Sequence, residues 1–255
     1  MAQTTYKDLL DAGAHFGHLT RKWDPKMAPY IFMEKNGIHI IDLNKTLVSL
    51  DYAAQAIRNI AKSGRKVMFV ATKKQAQEIV TTEAERLKMP FVTDRWLGGM
   101  LTNFATVRKS LKKMATIDKM VKENTAYAAL AKREKLMMAR ERAKLERVLG
   151  GIAELGRLPA ALFVVDVKRE HIAVKEAQKL GIPVFAICDT NSNPELVQFP
   201  IPANDDASKS IQLIVGVIGK AIEDGLSERK VDKEDAERKE ADEAAVAEKT
   251  AADEE

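Results

Sequence analysis

Cysteine is nearly absent from this chain. Cys188 stands alone among 255 residues, so no internal disulfide can form and a reducing compartment fits. Long apolar runs are absent as well. None approaches the ~20 residues a membrane span requires, and the opening Met-Ala-Gln-Thr-Thr-Tyr-Lys-Asp carries no apolar leader segment. Phosphate-gripping loops are missing too: no G-x-G-x-x-G follows a strand pattern, and no G-x-x-x-x-G-K-[ST] occurs. No serine sits in a G-x-S-x-G elbow. These absences count against an integral membrane protein, a disulfide-stapled secreted domain, a dinucleotide- or P-loop enzyme and a serine hydrolase. What remains is a charge-rich globular chain, 45% hydrophobic and 31% charged, long enough to bury a substantial core.

The charge is unevenly placed. Net charge is +4, yet the segment from Ser227 to the end holds twelve acidic and six basic residues, which leaves +10 on residues 1–226. Ala105–Leu149 alone carries thirteen Lys and Arg against five Asp and Glu, a formal +8. That stretch has neither Gly nor Pro. Val107, Leu111, Met114, Ile117 and Val121 mark one face, and Leu130, Met137, Leu145 and Val148 another. With a break near Glu123-Asn124-Thr125, the spacing predicts an antiparallel helical hairpin. Each arm would extend ~30 Å at 1.5 Å per residue. Concentrated positive charge on one element is the footprint of a polyanion partner.

Around this insertion, strand and helix signals alternate. A short amphipathic helix (Tyr6, Leu9, Leu10) precedes irregular sequence, and Asn36-Gly37 between two apolar runs reads as a hairpin turn. A helix capped by Asp42 or Asn44 ends at Ser63-Gly64. Val67–Ala71, Ala161–Val165 and Val184–Cys188 are continuous apolar runs, as in parallel strands buried on both faces. Gln198–Pro202, with two prolines, reads as an edge strand, and Asp205-Asp206 as the cap of a following helix. The order gives right-handed βαβ units and a doubly wound parallel sheet. The expected domains are a discontinuous α/β body (1–104 and 150–226), the inserted hairpin (105–149) and a charged tail (227–255), disordered or a solvated helix.

Candidate chemistry falls into two groups. For RNA, Arg21, Lys22, Trp23 and Lys26 and the pair Arg95-Trp96 set cations beside planar rings, suited to phosphate contact and base stacking; either tryptophan fits the core equally well. Asn103, in the same Arg95–Phe104 segment, is a further candidate for RNA contact. Lys73 and Lys74 start a helix after the first parallel strand, where they meet backbone phosphate or are simply solvated. On the hairpin, Arg108, Lys109, Lys112, Lys113, Lys119, Lys132, Arg133, Arg140, Arg142 and Lys144 form a charged surface. For metal, His15 and His18 are three apart, and His18 with Asp189, Asp205 or Asp206 makes a possible divalent-cation set. Packing histidines and capping aspartates explain the same residues. Cys188 reads as a small buried side chain rather than a reactive thiol.

At several of these places the sequence resembles a known family. Ala-His-Phe-Gly-His (14–18), Trp-Asp-Pro-Lys-Met (23–27), Arg-Trp-Leu-Gly-Gly-Met-Leu-Thr-Asn-Phe (95–104), Pro-Ala-Ala-Leu-Phe-Val-Val-Asp (159–166), Glu-Ala-Gln-Lys-Leu-Gly-Ile-Pro-Val (176–184), Asp-Thr-Asn-Ser-Asn-Pro (189–194) and Ile-Pro-Ala-Asn-Asp-Asp-Ala (201–207) resemble ribosomal protein S-two of the bacterial small subunit. The resemblance spans roughly residues 5–226. It implies a flavodoxin-like three-layer α/β sandwich with a coiled-coil hairpin, and a non-enzymatic, cytoplasmic role in the small ribosomal subunit. It further implies contact with 16S ribosomal RNA between head and body, other ribosomal proteins as neighbours, and help in docking the large S-one protein. No cofactor, membrane or small-molecule substrate is implied. A flavin- or nucleotide-binding module on the open sheet and an RNA-independent coiled-coil adaptor are the competing readings.

Overall fold

The computed structural model describes residues 4–252, apart from 124–126 and 128–129; for 235–252 it describes the backbone alone. A short helix, α1 (Tyr6–Asp11), is followed by a small antiparallel sheet. β1 (Phe16–Leu19) and β2 (Ile31–Lys35) both pair with β3 (Ile38–Ile41). Asn36 (φ 54°) and Gly37 (φ 73°) turn the chain between β2 and β3. The left-handed region that both residues adopt is the reason an Asn-Gly pair stands there. β1 falls where the sequence reads as irregular, because its pairing partners in β3, Ile40 for Phe16 and Ile38 for Leu19, are distant in the chain.

The main sheet is parallel and runs β5 (Phe91–Val92), β4 (Val67–Val70), β6 (Ala161–Val165), β7 (Val184–Cys188), β8 (Phe199–Pro202). Taken in chain order, that is the second, first, third, fourth and fifth strand, the flavodoxin-like doubly wound order. Side chains alternate between two cores. Phe69, Phe163, Phe185 and Ile187 face one, with α2 (Leu43–Lys62), α3 (Lys74–Arg86) and the last helix α7 (from Ser208). Met68, Val70, Leu162, Val164 and Ala186 face the other, with α6 (His171–Lys179), the loop after β5 and the roots of α4 (Phe104–Glu123) and α5 (Lys132–Leu149). Burial on both faces is why these strands read as unbroken apolar runs. Phe69, Phe163, Phe185 and Phe199 lie in register across four strands, with Phe185 and Phe199 stacked at 4.2 Å.

One departure from sequence expectation concerns a helix start. Asp205 and Asp206 do not cap α7. Asn204 Oδ1 instead accepts from the Asp206 and Ala207 amides (2.8 and 3.1 Å), and both carboxylates turn to Lys73. At its other end α7 passes Leu226 without a break, so residues 227–252 are helical, one of the two forms expected there. It continues to Ala252, tied to α2 by Glu228 with Arg58 and by Asp232 with Lys62 (3.0 Å). The expected hairpin break at Glu123-Asn124-Thr125 lies partly outside the described residues. Among the described residues no helix is long and apolar enough to cross a membrane.

Candidate nucleic-acid interface and strand-end cluster

The segment Arg95–Asn103 joins β5 to α4 and is organised by one carboxylate. Glu176, on α6, is 8% exposed. Its Oε1 accepts from Trp96 Nε1 (3.1 Å) and Gly99 N (2.7 Å), and its Oε2 from Leu101 N, Thr102 N and Thr102 Oγ1 (3.0 Å each). Burial alone would raise this carboxyl; the bonds from Thr102, Gly99, Trp96 and Leu101 outweigh it and hold the pKa below the ordinary value. Gly99 has φ +88°, the conformation that aims its amide into the cluster. Trp96 is 7% exposed, with its N–H donated to Glu176.

From this anchor α4 and α5 run out side by side, joined by Asp118 with Arg142 and Lys113 with Glu141. Leu111, Met114, Ile117 and Leu149 are buried, and Val107, Leu145 and Val148 pack on the body. Farther out the expected seam opens: Val121 is 44% and Met137 60% exposed. Arg108, Lys109, Lys112, Lys132, Arg133, Arg140 and Lys144 are all exposed and take no salt bridge among the described residues. Lys119 is exposed as well. Asn103 Oδ1 accepts from Thr106 Oγ1 (2.9 Å) and so fixes the start of α4. On the body, Arg21 and Lys22 are exposed in the turn after β1, and Trp23 is 40% exposed, tilted over His39. Lys26 pairs with Glu195 (2.9 Å), and Lys74 is exposed at the start of α3.

Lys73 departs from expectation. It is 8% exposed, not a surface lysine, and its ammonium lies 2.6 Å from Asp205 Oδ1 and from Asp206 Oδ1, with Asp166 at 3.8 Å. Burial opposes its charge, but Asp205, Asp206 and Asp166 outweigh this and raise its pKa. The place is telling. β4 and β6 flank the switch point of the sheet, where such folds bind ligands; here the crevice presents carboxylates around an internal cation.

β1 lies across the same end, held by His18 N donating to Thr190 Oγ1 (2.8 Å). This brings His18 Nδ1 within 3.0 Å of Asp189 Oδ2 and Nε2 within 3.5 Å of Asp206 Oδ2. One ligand atom each from His18, Asp189 and Asp205 lies within 4.8 Å of the others. The Asp189 hydrogen bond raises the His18 pKa against a smaller opposing effect of burial. Burial, then repulsion from Asp189 and Asp166, pushes Asp205 up to about 7. Asp205 Oδ2 is buried without a partner. Three of the four residues proposed for metal from sequence thus converge, while Asp206 meets only the far nitrogen of His18; His15, half-buried, does not join them and keeps an unpartnered Nδ1. Cys188 is fully buried, and burial pushes its thiol pKa far up.

Glu176 was invisible in sequence, where it is one more charged residue on an amphipathic helix. Arg147 on α5 and Arg169 in the turn before α6 likewise look like solvated surface cations in sequence. Only the fold brings them to the loop after β5, where they line a cavity with Arg95 and Trp96.

Comparison with known proteins agrees with this architecture. The family model described as ribosomal protein S2 matches residues 9–225. Among similar chains, the small ribosomal subunit protein uS2 of Cytophaga hutchinsonii is 71% identical over 238 residues, covering 93% of each chain. That of Parabacteroides distasonis is 61% identical over 237 residues (93% of this chain, 85% of the relative), and that of Flavobacterium psychrophilum 62% over 228 (89% and 85%). A family match across the whole α/β body and the inserted helical pair, with such identities over most of the length, places this chain in the ribosomal protein S2 family.

Proposed function

We propose that the protein is a structural constituent of the small ribosomal subunit that binds 16S ribosomal RNA between head and body, with the α4–α5 pair as its principal RNA-binding arm. The observation that carries this is the set of exposed cations on that pair that take no salt bridge among the described residues, Arg108, Lys109, Lys112, Lys132, Arg133, Arg140 and Lys144, on a rigidly anchored root. Unpaired cations release counterions when they meet phosphates, so affinity falls with salt by ~0.7–0.9 log units per contact per decade. Reversing charge at Lys109, Lys112, Arg133 and Arg140 is expected to flatten that salt dependence and impair assembly into subunits while the body stays folded. Normal incorporation of the variant would refute the arm. A protein neighbour, such as the large S-one protein, is supported by apolar side chains left open on the small sheet, Phe16 (48%), Phe32 (71%) and Met33 (47%); Phe32→Ser should weaken its retention on subunits.

One cluster favours a second, local reading. His18, Asp189 and Asp205 would hold a divalent cation such as zinc, for which one imidazole and carboxylate oxygens are a fitting donor set. The orphaned Asp205 Oδ2 supports it. Lys73, already at Asp205 and Asp206, is the competing cation. Dialysis against zinc followed by metal analysis decides between them: about one ion per chain, lost in Asp189→Asn, supports the metal, and none assigns the cluster to Lys73.

A further inference from the structure

We infer that the cavity where the root of the helical pair meets the carboxyl ends of β4 and β5 is a phosphate-binding site, and that its phosphate belongs to an RNA backbone. The inference rests on the RNA-binding reading above and gives it a specific site on the body, apart from the arm.

The cavity, about 460 Å³, draws three guanidinium groups from separate parts of the chain: Arg95 after β5, Arg147 in the last turn of α5 and Arg169 before α6. Arg95 is exposed and has no hydrogen bond or ion pair among the described residues. Among the described residues the Arg169 side chain spends only Nε, donated to Thr72 Oγ1 (3.0 Å), and Arg147 is ion-paired only through Nε, 3.2 Å from Asp94 Oδ2. Their terminal nitrogens therefore remain available as paired donors, the fork that matches two oxygens of a phosphate. Two carboxylates also line the cavity. Asp94 is matched by Arg147, and Glu170 Oε1 accepts from Thr72 N (2.8 Å) and Thr72 Oγ1. Three cations against two carboxylates leave positive charge facing the opening.

A free nucleotide shares the phosphate chemistry but fits less well. No glycine-rich loop supplies amides to a polyphosphate, and the one ring present, Trp96, is buried with its N–H on Glu176. A backbone lying along the exposed lysines of α4 and α5 would instead arrive at this cavity as it reached the body.

The test is equilibrium binding of the full-length protein to purified small-subunit RNA over a salt series, for wild type, R95Q and R95Q/R147Q/R169Q. The triple variant is expected to bind roughly ten- to a hundredfold more weakly, with a salt slope smaller by ~0.7–0.9. R95Q, which removes no hydrogen bond or ion pair among the described residues, should move both quantities in the same direction at an unchanged melting temperature, and it decides the matter if the triple variant does not fold. Unchanged affinity and slope in folded variants, with wild type binding normally, overturn the site and leave the arm standing; a wild type that ignores the RNA overturns the reading beneath it. Calorimetric titration of the RNA-free protein with ADP separates the sources. Binding no tighter than millimolar supports the backbone, whereas a stoichiometric micromolar isotherm lost in R95Q overturns it.

Discussion

Replacing Glu176 by Gln keeps the side chain's shape and removes only its charge and one acceptor. The carboxylate now receives four N–H donors and one hydroxyl, two on Oε1 and three on Oε2. In either orientation the new amide nitrogen faces two N–H groups: Trp96 Nε1 and Gly99 N, or Leu101 N and Thr102 N. A buried donor left unmatched costs about 1–3 kcal/mol, so two of them plus the weakened remaining bonds should cost about 3–4 kcal/mol. At ~2–4 °C per kcal/mol for a domain of this size, the melting temperature should fall by roughly 6–16 °C. Trp96 reports the local event: released from the loop, its emission should shift red at temperatures where α/β circular dichroism is intact. The effect has a pH signature. Because the folded pKa of Glu176 is held below its ordinary value, its stabilisation is complete above the unfolded carboxylate value of ~4.3 and is lost as pH falls through the folded one. E176Q should lack that acid limb. A variant that melts within a degree of wild type, with unaltered Trp96 emission, would refute the idea that this carboxylate anchors the arm.

Three further outcomes follow from the same geometry. A Cβ on Gly17 would lie 2.6 Å from Thr190 Cγ2, so Gly17→Ala should displace β1 and cost about 1–3 kcal/mol in urea unfolding; an unshifted midpoint would count against the docking of the small sheet. Lys73→Met strands Asp166, Asp205 and Asp206 without their cation, which should cost about 3–5 kcal/mol at neutral pH. Asp205 already has a raised pKa of about 7, so its ionised form destabilises the fold above that pH and the cost is relieved as pH falls; the gap between variant and wild type should accordingly narrow on acidification toward pH 5, and a constant gap would contradict this. Cys188, buried with its thiol pKa pushed up, should ignore a thiol reagent in the native protein and react fully in denaturant; rapid native labelling would show that the strand end opens.

The parts of the fold that could be read from sequence are those specified locally. Val67–Val70, Ala161–Val165 and Val184–Cys188 announce themselves because a strand buried on both faces must be apolar throughout. Asn36-Gly37 announces a turn because few other pairs adopt two positive φ angles. Lys, Arg and Leu spacing without Gly or Pro gives the helical pair and its charge. Phe16–Leu19 carries no such mark, being half exposed and paired only through a distant partner.

The same division separates the two sites. The cationic arm was set by the sequence itself, since charge and helical periodicity are properties of a single contiguous stretch and hardly depend on what surrounds it. Tertiary structure alone decided what the other charged residues do. Lys73 looks like a surface lysine until Asp205, 132 residues later, is folded against it. Glu176 looks like a solvated helix residue until a loop some 75 residues earlier brings its amides there. Arg95, Arg147 and Arg169 become one cavity only when β5, α5 and α6 meet. A charge's role depends on its dielectric surroundings and its partners, and for these residues long-range packing supplies both.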